Sequence, residues 1–85
     1  MLEIVFHPKA IKELLALPKE IRIAVLKAIA ELQKTGNPLE HRKVIKLKGR
    51  TTKDYRLRAG NYRVKFTLRN STVFITHVQH RHVGY

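Results

Sequence analysis

The chain has 85 residues, with 18 Lys/Arg against six Asp/Glu for a formal charge of +12, and its 44% apolar share is that of an ordinary globular protein rather than a disordered one. With no cysteine, disulfides, thiolate catalysis and zinc–thiolate sites are excluded. No apolar run approaches the roughly 18 residues that a membrane span needs, and the opening MLEIVFHPK does not have the form of a signal peptide, so one soluble, cytoplasmic domain over residues 1–85 is expected, with no membrane partner.

Residues 2–7 (LEIVFH) form a short apolar run that predicts a strand inside a sheet. Pro8 suits the first turn of a helix, where its missing N–H costs nothing, and Ile11, Leu14 and Leu15 recur at helical spacing through residues 9–17. Pro18 ends that helix and opens the next. Residues 19–34 carry the longest helical pattern, with Ile21, Val25, Ala28, Ile29 and Leu32 on one stripe and Glu20, Lys27, Glu31 and Lys34 outside it. Gly36-Asn37-Pro38 is a stop signal.

Residues 41–47 (HRKVIKL) predict a strand and residues 48–53 (KGRTTK) a polar loop. Residues 54–68 (DYRLRAGNYRVKFTL) then alternate with a period of two. Tyr55, Leu57, Tyr62, Val64, Phe66 and Leu68 fall on one side, and Arg56, Arg58, Arg63, Lys65, Thr67 and Arg69 on the other. Gly60-Asn61 between the two runs suits a tight hairpin turn. Asn70-Ser71 is a further turn, residues 72–78 (TVFITHV) a last strand, and residues 79–85 (QHRHVGY) a tail. The order β-α-α-β-β-β-β predicts an α+β fold, with an antiparallel-rich sheet, two N-terminal helices packed on one face and a basic ligand face opposite.

Charge is unevenly placed along this plan. Residues 1–40 hold six Lys/Arg against five Glu, whereas residues 41–85 hold twelve against Asp54 alone. Unit charges about 6 Å apart repel by roughly 3 kcal/mol at an effective dielectric of 20. A strand face carrying several such neighbours, with no acid from Tyr55 onward, points to an anionic partner such as nucleic acid or an acidic protein. No carboxylate pair in the basic half supports two-metal or glycosidase-type chemistry, and the four glycines are scattered rather than gathered in a phosphate loop. Arginines with His and Tyr nearby suit RNA cleavage without metal or cofactor. The 2′-OH attacks its own phosphate, cations stabilise the phosphorane, and a proton acceptor and donor complete the site.

Three segments carry a resemblance. Lys46-Leu47-Lys48-Gly49, then Tyr55-Arg56-Leu57-Arg58-Ala59-Gly60-Asn61-Tyr62-Arg63-Val64, and finally His80-Arg81-His82-Val83-Gly84-Tyr85 resemble the RelE/ParE toxin superfamily of type II toxin–antitoxin modules, in its RelE-like mRNA interferase branch. The agreement runs through the whole chain in order and length. The resemblance implies a compact endoribonuclease that cuts mRNA in the ribosomal A site. It also implies a cognate antitoxin, acidic and partly disordered, that wraps and silences the toxin in a hetero-oligomer.

By position, the resemblance assigns the scissile phosphate to Arg63 and Arg81, flanking phosphates and local charge to Arg56 and Arg58, and the 2′-OH to Tyr85. Some family members carry lysine at the positions of Arg56 and Arg58. A guanidinium effectively does not exchange protons, so proton transfer falls to Tyr85, His82 or His80. Lys46, Lys48, Lys53 and Lys65 are candidate peripheral RNA contacts, with His80 beside them. The H-x-x-H-x-H run of His77, His80 and His82 has neither acid nor thiolate neighbours in sequence, so no metal site is expected. His7, His41 and His77 read as structural, and Tyr55 and Tyr62 as core. With Tyr85 the last residue given, the α-carboxylate is expected beside the site. A ParE-like toxin that binds gyrase without cleaving RNA, and a non-catalytic nucleic-acid-binding domain or degenerate toxin, are the alternative readings.

Overall fold

The computed structural model describes residues 1–47 and 53–82. The elements are β1 (Glu3–Phe6), α1 (Pro8–Leu15), α2 (Lys19–Lys34), a 3-10 turn (Pro38–Glu40), β2 (Val44–Lys46), β3 (Asp54–Ala59), β4 (Tyr62–Arg69) and β5 (Thr72–His80). They form one five-stranded sheet in the order β1-β5-β4-β3-β2, antiparallel throughout except where β1 lies parallel to β5. The expected α+β plan holds.

Alternation in the hairpin does what its chemistry demands. Leu57 faces Val64 and Tyr55 faces Phe66 across β3 and β4, and all four side chains are buried. The Tyr55 and Phe66 rings stack with centroids 5.3 Å apart and planes 12° from parallel. Both tight turns begin with a residue at positive φ, Gly60 at 60° and Asn70 at 55°. Asn61, expected to share that role with Gly60, is not needed there.

Against this apolar face lie Val25, Ala28, Ile29 and Leu32 of α2, the stripe read from its periodicity, with Ile21 partly buried beside them. The start of β1 is tied to the far end of α2 by Leu2 N–H donating to the Gln33 carbonyl at 3.0 Å. Helix α1 turns differently from expectation. Its inward residues are Ala10 and Leu14, spaced i and i+4, whereas Ile11 and Leu15 are 42% and 63% exposed. One residue is a rotation of about 100° on a helix, and α1 packs on β5, the strand next to the β1 edge, rather than across the middle of the sheet. Pro8 opens it as expected, and His7 caps it by accepting Lys9 N–H at Nδ1, 3.1 Å away.

Strand β5 departs most from simple alternation. Arg69 to Phe66 pair with Thr72 to Ile75 in register, but Lys65 pairs with His77, leaving Thr76 as an extra residue. This β-bulge inverts parity along the strand. Before it, Val73 and Ile75 point into the core; after it, Val78 does. His77, Gln79 and the residue beyond β5, Arg81, are thereby sent to the other side. The strand also runs two residues further than expected, to His80.

Candidate functional site

The face away from the helices is a small grid of side chains. Residues directly opposite one another in a sheet share a face, so one row crosses the strands as Ile45, Arg56, Lys65 and His77. The next row reads Arg58, Arg63 and Gln79. Two short hydrogen bonds extend it at either end: Arg58 N–H donates to the Lys43 carbonyl at 3.0 Å, and Arg81 N–H to the Asn61 carbonyl at 2.8 Å.

At the hairpin end, Arg58, Arg63 and Arg81 meet Lys43, Gly60 and Asn61 around an open hollow of about 380 Å³. A second hollow of about 260 Å³ adjoins it, lined by Arg42, Lys43, Ile45, Arg56, Arg58 and Arg63. Arg63 is common to both. Its Nη1 is shielded from solvent, and its guanidinium is held below its ordinary value, first by lost hydration and then by the like charges of Arg56, Arg81 and Arg58. Charge on Arg63 is therefore disfavoured by the fold at every pH below that lowered value, which includes the whole neutral range. A bound anion would offset the part of that penalty that comes from like charge. A larger hollow, about 470 Å³ between α2 and the hairpin end, touches Arg58 but is walled by acids and bases alike, Glu31 and Glu40 with Lys27 and Lys43 among them. That lining lacks the single-sign charge of the other two.

The sequence-derived candidates divide clearly. Arg56, Arg58, Arg63 and Arg81 come together on one face, with Lys65 in the same grid. Lys46 lies opposite Tyr55 and leaves the sheet on the helix side, at its edge. Lys53 accepts Leu68 N–H at its carbonyl, at the end of the hairpin away from Arg58 and Arg63. Lys48 and Tyr85 lie outside the described residues, as does the α-carboxylate. His80 lies opposite Tyr62, with the two rings edge to face at 5.2 Å, and His82 stacks on His80 at 5.0 Å. Both therefore belong to the Tyr62 side of the sheet, across from Arg63. The H-x-x-H-x-H run is thus split between two faces.

Sequence reasoning missed Lys43 and Arg42, which line the arginine hollows from the segment before β2. Their signal was present: two adjacent cations precede Val44, which pairs with Leu57 beside Arg56 and Arg58. Glu13 was also missed. Its Oε1 accepts Val78 N–H at 3.0 Å, Oε2 stands 3.4 Å from Gln79 Nε2, and Oε1 lies 3.6 Å from His77 Nδ1. Nothing local in the sequence links α1 to residues more than sixty positions away.

A helix-backed sheet of this order with an arginine-rich outer face has close counterparts among solved structures. The toxin–antitoxin complex RelE-RelB from Pyrococcus horikoshii OT3 contains a chain 28% identical, with a TM-score of 0.78 over 98% of both chains. A chain of the RelB-RelE complex from Methanococcus jannaschii is also 28% identical, with a TM-score of 0.75 over 92% of this chain and 91% of that one. The isolated E. coli RelE toxin, at 24% identity, shares the fold with a TM-score of 0.76 over 94% of this chain and 84% of its own. The architecture is that of the RelE/ParE superfamily of toxins. No curated protein matches by sequence search. The family described as "ParE toxin of type II toxin-antitoxin system, parDE" matches residues 4–85, and the chain belongs to it.

Proposed function

We propose that this toxin is an endoribonuclease that cleaves mRNA by 2′-OH attack on the adjacent phosphodiester, with arginine rather than metal stabilising the phosphorane. The carrying observation is the meeting of Arg58, Arg63 and Arg81, from β3, β4 and the end of β5, with Lys43 around one hollow of phosphodiester size. Guanidinium groups fixed before the reaction stabilise charge as it develops, without reorganising. Arg56 and Lys65 extend the cationic grid along the sheet for flanking phosphates. Recognition of the 2′-OH makes RNA the substrate and spares DNA. Tyr85 is the residue assigned to orient that hydroxyl.

Cleavage of mRNA in the ribosomal A site gives a cytoplasmic toxin whose inhibitor is a cognate antitoxin. The RelE relatives from Pyrococcus horikoshii OT3 and Methanococcus jannaschii come from complexes with RelB antitoxins, and a surface at +12 overall favours an acidic, partly disordered segment that folds on contact. The test is primer-extension mapping of mRNA cuts with and without ribosomes, alongside growth arrest by Arg81→Ala and Tyr85→Phe. A nuclease loses toxicity in both variants while each stays folded. The match to the ParE family favours a second reading, a toxin that disables gyrase by binding it. In that case RNA stays intact and Tyr85→Phe is nearly indifferent.

A further inference from the structure

The histidines of this chain are used in distinct ways. His7, His41 and His80 each accept at Nδ1 a backbone N–H two residues further on, at 3.1, 3.2 and 3.2 Å. Each imidazole closes a local turn. His82 stacks on His80, on the helix side of the sheet. His77 does neither. The bulge at Thr76 turns it onto the arginine face, directly across from Lys65 and diagonal to Arg63. Diagonal neighbours in a sheet lie about 7–8 Å apart, within reach of long side chains.

The surroundings of His77 are asymmetric. Nδ1 is closed to solvent and faces Glu13 Oε1 at 3.6 Å, while 32% of the side chain remains open. Glu13 owes its position to the backbone. By accepting Val78 N–H it caps β5 where β1 has ended and α1 has taken over the edge. It would stay in place without the imidazole. At 3.6 Å the Glu13 carboxylate is too far from Nδ1 for a hydrogen bond, and Nδ1 has no hydrogen-bond partner among the described residues, so the carboxylate is the group placed to receive Nδ1–H when the ring takes up a proton.

The geometry points to His77 and Glu13 as the proton-transfer pair of the RNA site, with His77 the catalytic residue and Glu13 its positioning residue. This rests on the ribonuclease reading above. It fills a gap in that reading, because the guanidinium groups stabilise charge but do not take a proton at neutral pH. In the step assigned, Nε2 of neutral His77 takes the proton of the 2′-OH as the O2′–P bond forms and the P–O5′ bond breaks. The imidazolium so formed faces Glu13 through Nδ1–H. The leaving O5′ takes a proton from water, and His77 later returns its own to solvent. The products are a 2′,3′-cyclic phosphate and a 5′-hydroxyl. Groups facing His77 are Glu13 from α1, Lys65 and Arg63 from β4, and Arg56 and Asp54 from β3, Asp54 lining the same hollow as Lys65 and His77.

The experiment measures single-turnover and steady-state cleavage of RNA, with ribosomes if they are required, for wild type, His77→Gln, Glu13→Gln and Arg63→Ala across pH 5–9. His77→Gln is expected to lower kcat about 10²-fold with KM unchanged and to flatten the acid limb of the pH–rate profile. Added imidazole should restore part of the cleavage in His77→Ala. Glu13→Gln keeps an acceptor for Val78 N–H and should lower kcat by less. If His77→Gln does not fold, His77→Asn and Glu13→Gln carry the same test. Should Arg63→Ala abolish cleavage while every His77 and Glu13 variant keeps wild-type kcat and pH profile, the pair is only structural and the inference falls alone. A wild-type protein that leaves RNA intact in all conditions removes the ribonuclease reading, and this inference with it.

Discussion

The two faces of the central hairpin are made from alternate residues of one run, yet opposite forces hold them. On the helix side, Tyr55, Leu57, Val64 and Phe66 are buried and mutually packed, so that face stabilises the fold. On the open side, Arg56, Arg58 and Arg63 lie beside one another with Arg81 close by, and their repulsion works against the fold. The contrast shows how a small domain can divide its labour at single-residue resolution. Burial on one face supports a charge arrangement on the other that a bound anion would ease.

Breaking the first face should have the largest effect on the fold. Phe66→Ala, at a residue with 1% exposure, is expected to cost about 3–5 kcal/mol in denaturant unfolding, with RNA affinity unchanged for the fraction that stays folded. Breaking the second face should do the reverse. Arg63→Ala is expected to lower cleavage by about 10²–10³-fold, the effect of removing one preorganised charge-stabilising donor, while moving the denaturant midpoint far less than Phe66→Ala does. Salt sharpens the same contrast. With about five phosphate contacts, the log–log slope of RNA affinity against salt should be near −3.5 for single strands, or about 10²-fold between 50 and 200 mM. A flat response would contradict a phosphate-binding face.

Smaller effects probe the join between the faces. A Cβ at Gly60 meets nothing within 4 Å, so Gly60→Ala at φ +60° tests backbone strain alone and should cost about 1–2 kcal/mol. The smallest expected change is a gain. Inorganic phosphate should raise the melting temperature of the wild type, because an anion relieves the disfavoured charge on Arg63. The rise should shrink in Arg63→Ala.

Most of the framework could be read from the residues because it follows local rules. Periodicity placed α2 and its buried stripe, and alternation with Gly60-Asn61 placed the hairpin and gathered Arg56, Arg58 and Arg63 on one side. What escaped depends on contacts remote in sequence. The inward face of α1 is set by its position on the edge of β5, which made Ala10 rather than Ile11 the buried residue. Lys43 joins the hollow only because β2 pairs with β3. His80 and His82 looked like neighbours of Arg81 because they flank it, but adjacent residues of a strand point to opposite faces. The face that His77 takes escaped as well, because nothing in TVFITHV announces an extra residue at Thr76.

That bulge also sets a rule about which changes this chain can accept. Replacing one side chain in residues 75–78 alters one position, but adding a further residue there with the pairing before it kept would exchange the two faces for everything downstream. Val78 would leave the interior, and Gln79 and Arg81 would turn toward the helices. Strand β5 therefore tolerates changes of spelling and one change of length, because losing Thr76 would straighten the bulge and leave His77 opposite Lys65 and Val78 opposite Val64.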